Sequence, residues 1–148
     1  MSNQLKGAKY IEELELKDQR VFLRLDLNLP MSKGKISDET RLKAVLPTIK
    51  YCLDKGAKLV VASHMGRPRT GEHRKTLSLE PVAQRLGDLL DIEVILIEEP
   101  DSEAPKALLR SLKQNQILML ENLRFHLDET NNGDKLVNSI SEYMDIYV

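Results

Sequence analysis

Three short apolar runs in this 148-residue chain are each followed at once by a polar cluster. Asp26-Leu27-Asn28-Leu29-Pro30 follows the run at 21–25. His64-Met65-Gly66-Arg67-Pro68 follows the run at 59–63, and Glu121-Asn122-Leu123-Arg124-Phe125-His126 follows the run at 117–120. If the runs are parallel strands, all three clusters lie on one edge of the sheet, where they can converge on a single crevice. Arg41 joins them if the segment after the first strand folds back. The converging groups are then three arginines, one or two histidines, a carboxylate and two amides. Arginine forks match carboxylate and phosphate, each charge-assisted bond contributing about 1.5–3 kcal/mol. Asp26 and Asn28 suit hydroxyl groups. The ligand chemistry implied is a small polyanion that carries a hydroxyl, such as a phosphorylated hydroxy acid. No Ser/His/acid order or paired-carboxylate arrangement points to hydrolysis through a covalent intermediate.

Each residue also has a plainer reading. Asp26-x-Asn28 beside a proline is often only a turn, and His64 can be a satisfied loop histidine. Arg67, Arg69, Arg74 and Lys75 around Gly71 make a basic loop of the kind usually left in solvent. Glu121 and His126 fit better as structural hydrogen-bonding groups than as catalysts. Cys52 reads as a small core hydrophobe, and Met31, Met65, Met119 and Met144 as packing residues. The functional reading rests on three clusters sharing one edge.

The elements that must position these groups alternate in type. After the first strand, Pro30 and Gly34 mark a loop. Ser37-Asp38 then caps a helix whose apolar residues Leu42, Leu46, Ile49 and Leu53 recur every three or four positions. Pro47 inside it predicts a kink or a broken first turn, and Gly56 supplies a left-handed stop. A second strand at 59–63 leads through a loop at 64–76 to a helix capped by Ser78, with Val82, Leu86 and Leu90 on one face. A third strand (92–97), a short helix capped by Asp101 or Ser102 and carrying Leu108, Leu109 and Leu112, and a fourth strand (117–120) follow. A helix at 134–143 presents Leu136, Val137 and Ile140 inward, and a fifth strand starts at Asp145. Strands that are continuous apolar runs belong to a sheet buried on both faces. Strand–helix alternation makes that a doubly wound, mostly parallel, Rossmann-like α/β sheet. The last strand stops at its carboxyl end, where a loop and returning helix are expected. The sheet therefore reads as incomplete there and the chain as a piece of a longer protein.

Composition narrows the partners. Lys and Arg number 22 against 23 Asp and Glu, for a net charge of −1, so no general electrostatic case exists for nucleic acid or a membrane surface. The single cysteine excludes an intrachain disulfide and a CxxC metal site. The first residues show no apolar run with a small-residue cleavage site, and no stretch approaches a membrane span, which points to a soluble cytoplasmic chain. Neither GxGxxG nor GxxxxGK[ST] occurs, so neither nucleotide fingerprint is present.

At Arg24-Leu-Asp-Leu-Asn-Leu-Pro30, Thr40-Arg41, Ser63-His-Met-Gly-Arg-Pro68 and Leu120-Glu-Asn-Leu-Arg-Phe-His126, the sequence resembles phosphoglycerate kinase, specifically its N-terminal domain. The helical stretch from Arg41 to Lys50, with its internal proline, has the same look. Motif order and spacing hold from about residue 21 to residue 148. The resemblance implies a two-domain glycolytic transferase that moves a phosphoryl group between ATP and 3-phosphoglycerate, giving 1,3-bisphosphoglycerate. By motif, Asp26 and Asn28 would meet the substrate's hydroxyl and carboxyl end. His64, Arg67 and Arg124 would belong to the basic patch that grips it, and Arg41 would be the catalytic cation over the transferring group. Leu27 and Leu29 depart from the smaller or aromatic residues common around Asp-x-Asn, which should adjust only packing.

The same resemblance implies that residues 1–148 form a truncated substrate domain. Mg-ATP or Mg-ADP would bind the absent nucleotide domain, so neither cofactor nor metal is expected here and the chain alone should be inactive. The parent would be monomeric, and the piece would be open to self-association through its unpaired edge. The alternative is a stand-alone, non-enzymatic anion-binding α/β module.

Overall fold

The computed structural model describes residues 9–64, 77–123 and 132–148, excluding the side chains of 132–134. Five parallel strands form one sheet: β1 (Arg20–Arg24), β4 (Lys58–Ala62), β5 (Glu93–Ile97), β6 (Gln116–Leu120) and β7 (Ile146–Tyr147), in the order β5-β6-β4-β1-β7. Arg20 to Arg24 pair with Lys58 to Ala62, and Glu93 to Ile97 with Gln116 to Leu120. Val60 pairs with Leu118, and Val21 with Ile146. The doubly wound α/β fold expected from the apolar runs is the one observed.

Side-chain alternation along each strand divides the core in two. Val21, Leu23, Leu59, Val61, Ile117 and Met119 face one side. There they pack with Leu42, Ile49 and Cys52 of helix α1 (Thr40–Asp54) and with Val82, Ala83 and Leu86 of α2 (Glu80–Leu90). Phe22, Val60, Ala62, Leu118 and Leu120 face the other side. Their partners are Leu109 of α3 (Ala104–Arg110), Leu136 and Ile140 of α4 (Asn132–Ser141), and Tyr143 and Met144 beyond it. Burying each Val, Leu, Ile, Phe or Met among them contributes about 1.5–3 kcal/mol. Cys52 is fully buried, and burial pushes its thiol above the ordinary range. It is a core residue.

Two features, a broken turn at Pro47 and an inward Val137, are not observed. Helix α1 runs unbroken through Pro47. The proline faces solvent, so the carbonyl one turn earlier, which loses its N–H partner, lies on a wet face. Val137, expected inward, is 59% exposed: of the described α4 side chains, Leu136 and Ile140, four residues apart, join the core against the sheet. The Gly56 stop is observed in full. Gly56 has φ +81°, its N–H donates to Leu53 O, and Ala57 N–H donates to Cys52 O, closing the last turn by a Schellman pair.

Candidate active site on the carboxyl edge

The chain leaves β1 and β4 toward α1 and α2 on one face, and leaves β5 and β6 toward α3 and α4 on the other. β4 and β6 are neighbours, so the switch point lies between their carboxyl ends. That is where ligands bind in open α/β sheets.

Beyond β1, the alternation continues as a ruler. Leu27 and Leu29 are buried in the core, whereas the intervening Asp26 is exposed and Asn28 half-buried. The two leucines thus hold the segment down and leave the carboxylate and amide at the surface. Asp26 Oδ1 accepts the Asn28 N–H at 3.3 Å, an Asx turn that presets the loop. An antiparallel hairpin then follows, β2 (Met31–Ser32) and β3 (Lys35–Ile36). Its two-residue turn, Lys33 (φ 52°) and Gly34 (φ +76°), has the left-handed conformation at both positions that such turns require. Ser37 N–H donates to Pro30 O at 2.9 Å, so six residues are spent without net displacement. Asp38 Oδ1 next accepts both the Thr40 N–H (2.8 Å) and the Thr40 hydroxyl (2.6 Å), which starts α1. These bonds, with the charge of Arg41, hold the Asp38 carboxyl below its usual range.

The fold-back that Arg41 needed is therefore present. Arg41 Nη1 donates to Asn28 O at 2.9 Å and lies 3.5 Å from Asp26 Oδ1. Both side chains are more than half exposed, so solvent screens the pair and it is worth about 1 kcal/mol or less. A doubly charged phosphate can outcompete a single exposed carboxylate for that guanidinium. Glu39 accepts from Arg85 through both carboxylate oxygens, at 2.6 and 3.3 Å, and lies 3.7 Å from Lys43. Arg85 holds the Glu39 carboxyl below its usual range, and the start of α1 is thereby joined to α2.

At the end of β4, Ser63 is fully buried and His64 half-buried. Ser63 Oγ accepts the Leu27 N–H at 2.9 Å and donates to His64 O at 3.3 Å. Ser63 O accepts the Leu123 N–H at 3.1 Å. At the end of β6 the buried Glu121 accepts three bonds: from Ser78 Oγ at 2.6 Å, Leu79 N–H at 2.7 Å and Asn122 N–H at 2.8 Å. Asn122 Nδ2 donates to Leu77 O at 3.0 Å. Glu121 is thus a structural hydrogen-bonding group, and Ser78, which also accepts the Glu80 N–H at 3.1 Å, begins α2 as expected.

Of the six residues singled out in the sequence, Asp26, Asn28 and Arg41 meet, and His64 is joined to them through Ser63. Arg67 and Arg124, with His126 and the loop after His64, lie outside the described residues. Ser63 was not singled out. A lone serine closing an apolar run was the available signal, since a buried hydroxyl needs partners. Among the described residues no group of three or more His, Cys, Asp or Glu can hold a metal ion.

The comparisons agree with this fold. A family model described as phosphoglycerate kinase matches residues 11–148. A phosphoglycerate kinase of Bdellovibrio bacteriovorus is 57% identical over 148 residues, which is 100% of this chain and 37% of that protein. A phosphoglycerate kinase structure from Pyrococcus horikoshii OT3 superposes with TM-score 0.79 at 34% identity, over 93% of this chain and 35% of that one. One from Coxiella burnetii gives TM-score 0.77 at 34% identity, over 93% and 33%. The chain therefore spans little more than a third of the relatives it matches.

Proposed function

The chain belongs to the phosphoglycerate kinase family, and from that premise we propose that residues 1–148 form the substrate domain of such an enzyme and carry its 3-phosphoglycerate half-site. The observation that carries this reading is the meeting of Asp26, Asn28 and Arg41 at the carboxyl edge, beside the switch point. Asp26 and Asn28 take the hydroxyl and carboxyl end of 3-phosphoglycerate, and His64, Arg67 and Arg124 complete the anion-binding patch. Arg41 sits over the phosphoryl group in transfer. Its guanidinium can leave the exposed Asp26 and meet charge on the equatorial oxygens, where it stabilises the transition state more than the ground state.

Phosphoryl transfer asks chiefly for positioning and charge, and this edge supplies one half of both. The nucleotide is a different matter. Neither phosphate-cradling motif occurs in the sequence. We assign nucleotide binding to the part of the relatives that it does not span. The chain alone then binds 3-phosphoglycerate without turning it over. The parent is a cytoplasmic glycolytic transferase acting on small molecules; no described helix is long and apolar enough to cross a membrane.

Calorimetric titration with 3-phosphoglycerate, with inorganic phosphate and Mg-ATP as controls, tests the reading. Selective uptake of 3-phosphoglycerate, weakened in Arg41→Ala and Asp26→Asn, is expected. Equal affinity for inorganic phosphate would support a generic anion-binding module instead. Tight Mg-ATP binding, or ATP-dependent turnover by the chain alone, would overturn the assignment.

A further inference from the structure

Among the described residues three buried polar side chains, Ser63, Glu121 and Asn122, stand at the carboxyl edge. Glu121 accepts from Ser78 and Leu79 at the start of α2, and Asn122 Nδ2 donates to Leu77 O just before it. Ser63 differs, because every bond it makes at this edge reaches a segment that bears a candidate substrate group. The N–H it accepts belongs to Leu27, between Asp26 and Asn28; the carbonyl it donates to belongs to His64; the N–H on its own carbonyl belongs to Leu123. Leu25 N–H also donates to Ala62 O, but that bond ends the β1–β4 ladder. Past it, the Ser63 hydroxyl is the hydrogen bond between the two loops that sets their spacing among the described residues.

We propose that Ser63 is a positioning residue of the substrate half-site: its hydroxyl sets Asp26 and Asn28 relative to His64. The inference rests on the substrate reading above, and it adds a residue that touches no substrate. Losing the hydroxyl leaves the Leu27 N–H buried without an acceptor. The Asp26–Asn28 loop then relaxes to find one, whereas the bond from Leu123 to the Ser63 carbonyl survives.

The test sets affinity against stability. Tyr143→Phe, which removes a buried hydroxyl that donates to Pro100 O, is the control of similar stability cost. Ser63→Ala should weaken 3-phosphoglycerate binding by about tenfold, Tyr143→Phe should leave it unchanged, and Ser63→Thr, which keeps the hydroxyl, should recover most of it. Wild-type affinity in Ser63→Ala, or equal weakening in Ser63→Ala and Tyr143→Phe, would overturn the proposal. If Ser63→Ala does not fold, Ser63→Cys replaces it, since a thiol keeps the volume but is a poor acceptor. If the wild-type chain takes up no 3-phosphoglycerate, the substrate reading fails and the positioning role is decided without ligand. The Asn28 amide and the His64 ring resonances should then shift together in Ser63→Ala and return in Ser63→Thr. Either one holding its wild-type position in Ser63→Ala would refute the coupling.

Discussion

Glu121 offers a direct check on how the carboxyl edge is held. Its side chain is 7% exposed and accepts from Ser78 Oγ, Leu79 N–H and Asn122 N–H, all within 2.8 Å. In Glu121→Ala the Ser78 hydroxyl, half-buried, can turn to water. The amides of Leu79 and Asn122 sit on fully buried residues and are left without acceptors, at about 1–3 kcal/mol each. Relief of the carboxylate's own desolvation, and water admitted to the space, return part of that. The net expected loss is about 3 kcal/mol. Glu121→Gln keeps one oxygen that can accept both amides and loses mainly charge assistance, so its loss should be about 1 kcal/mol. Urea unfolding followed by far-ultraviolet circular dichroism measures both as midpoint shifts at constant slope. A Glu121→Ala midpoint within about 0.5 kcal/mol of wild type would show that these bonds do not hold the edge. Equal losses in the two variants would show that charge, and not acceptor geometry, is what matters.

Tyr143 donates its hydroxyl to Pro100 O at 2.8 Å, so Tyr143→Phe should cost about 1 kcal/mol in the same assay. Burial raises the Tyr143 phenol well above its ordinary value. Its stabilisation is therefore present below about pH 10 and lost above it, and Tyr143→Phe should show less of that alkaline loss. Asp145 accepts the Arg20 N–H and both guanidinium bonds, which lower its carboxyl to about 2. The contribution is full above about pH 4 and lost between about pH 4 and 2. With both side chains about a third exposed, solvent limits it to about 1 kcal/mol or less, and the stability gap between wild type and Asp145→Asn should close over that interval. Gly56→Ala meets only ordinary contacts with Lys17, so the left-handed backbone alone should cost about 1 kcal/mol by thermal or urea unfolding.

What could be read in the sequence was what local pattern determines. Apolar runs located each long strand to within one residue, because a strand buried on both faces admits no polar side chain in its middle. The Ser78 and Gly56 helix ends were legible because capping is local chemistry. Strand order was not, since β7 pairs with β1 across almost the whole chain. The hairpin at Met31–Ile36 shows in the sequence only as a loop: Lys33-Gly34 is a weaker turn signal than Asn-Gly, and two-residue strands show no periodicity. Pro47 misled because a proline's cost depends on whether its face is wet. For the site, Asp26, Asn28 and His64 were visible as polar residues directly after strands, and the role of Arg41 was conditional on a fold-back that only the hairpin explains. Ser63 escaped notice because a buried hydroxyl matters through partners distant in sequence.

The bond between Arg20 and Asp145 joins residues 125 apart, and it sets a timetable. A ribosome adds about 5–20 residues per second, so β1 emerges roughly 6–25 s before the segment that pairs with its second edge. During that interval Phe22 and the open backbone of β1 have no β7 to cover them, and an exposed strand edge recruits whatever strand is near. Synthesis rate and chaperone supply over that interval then bear on how much of the chain arrives folded.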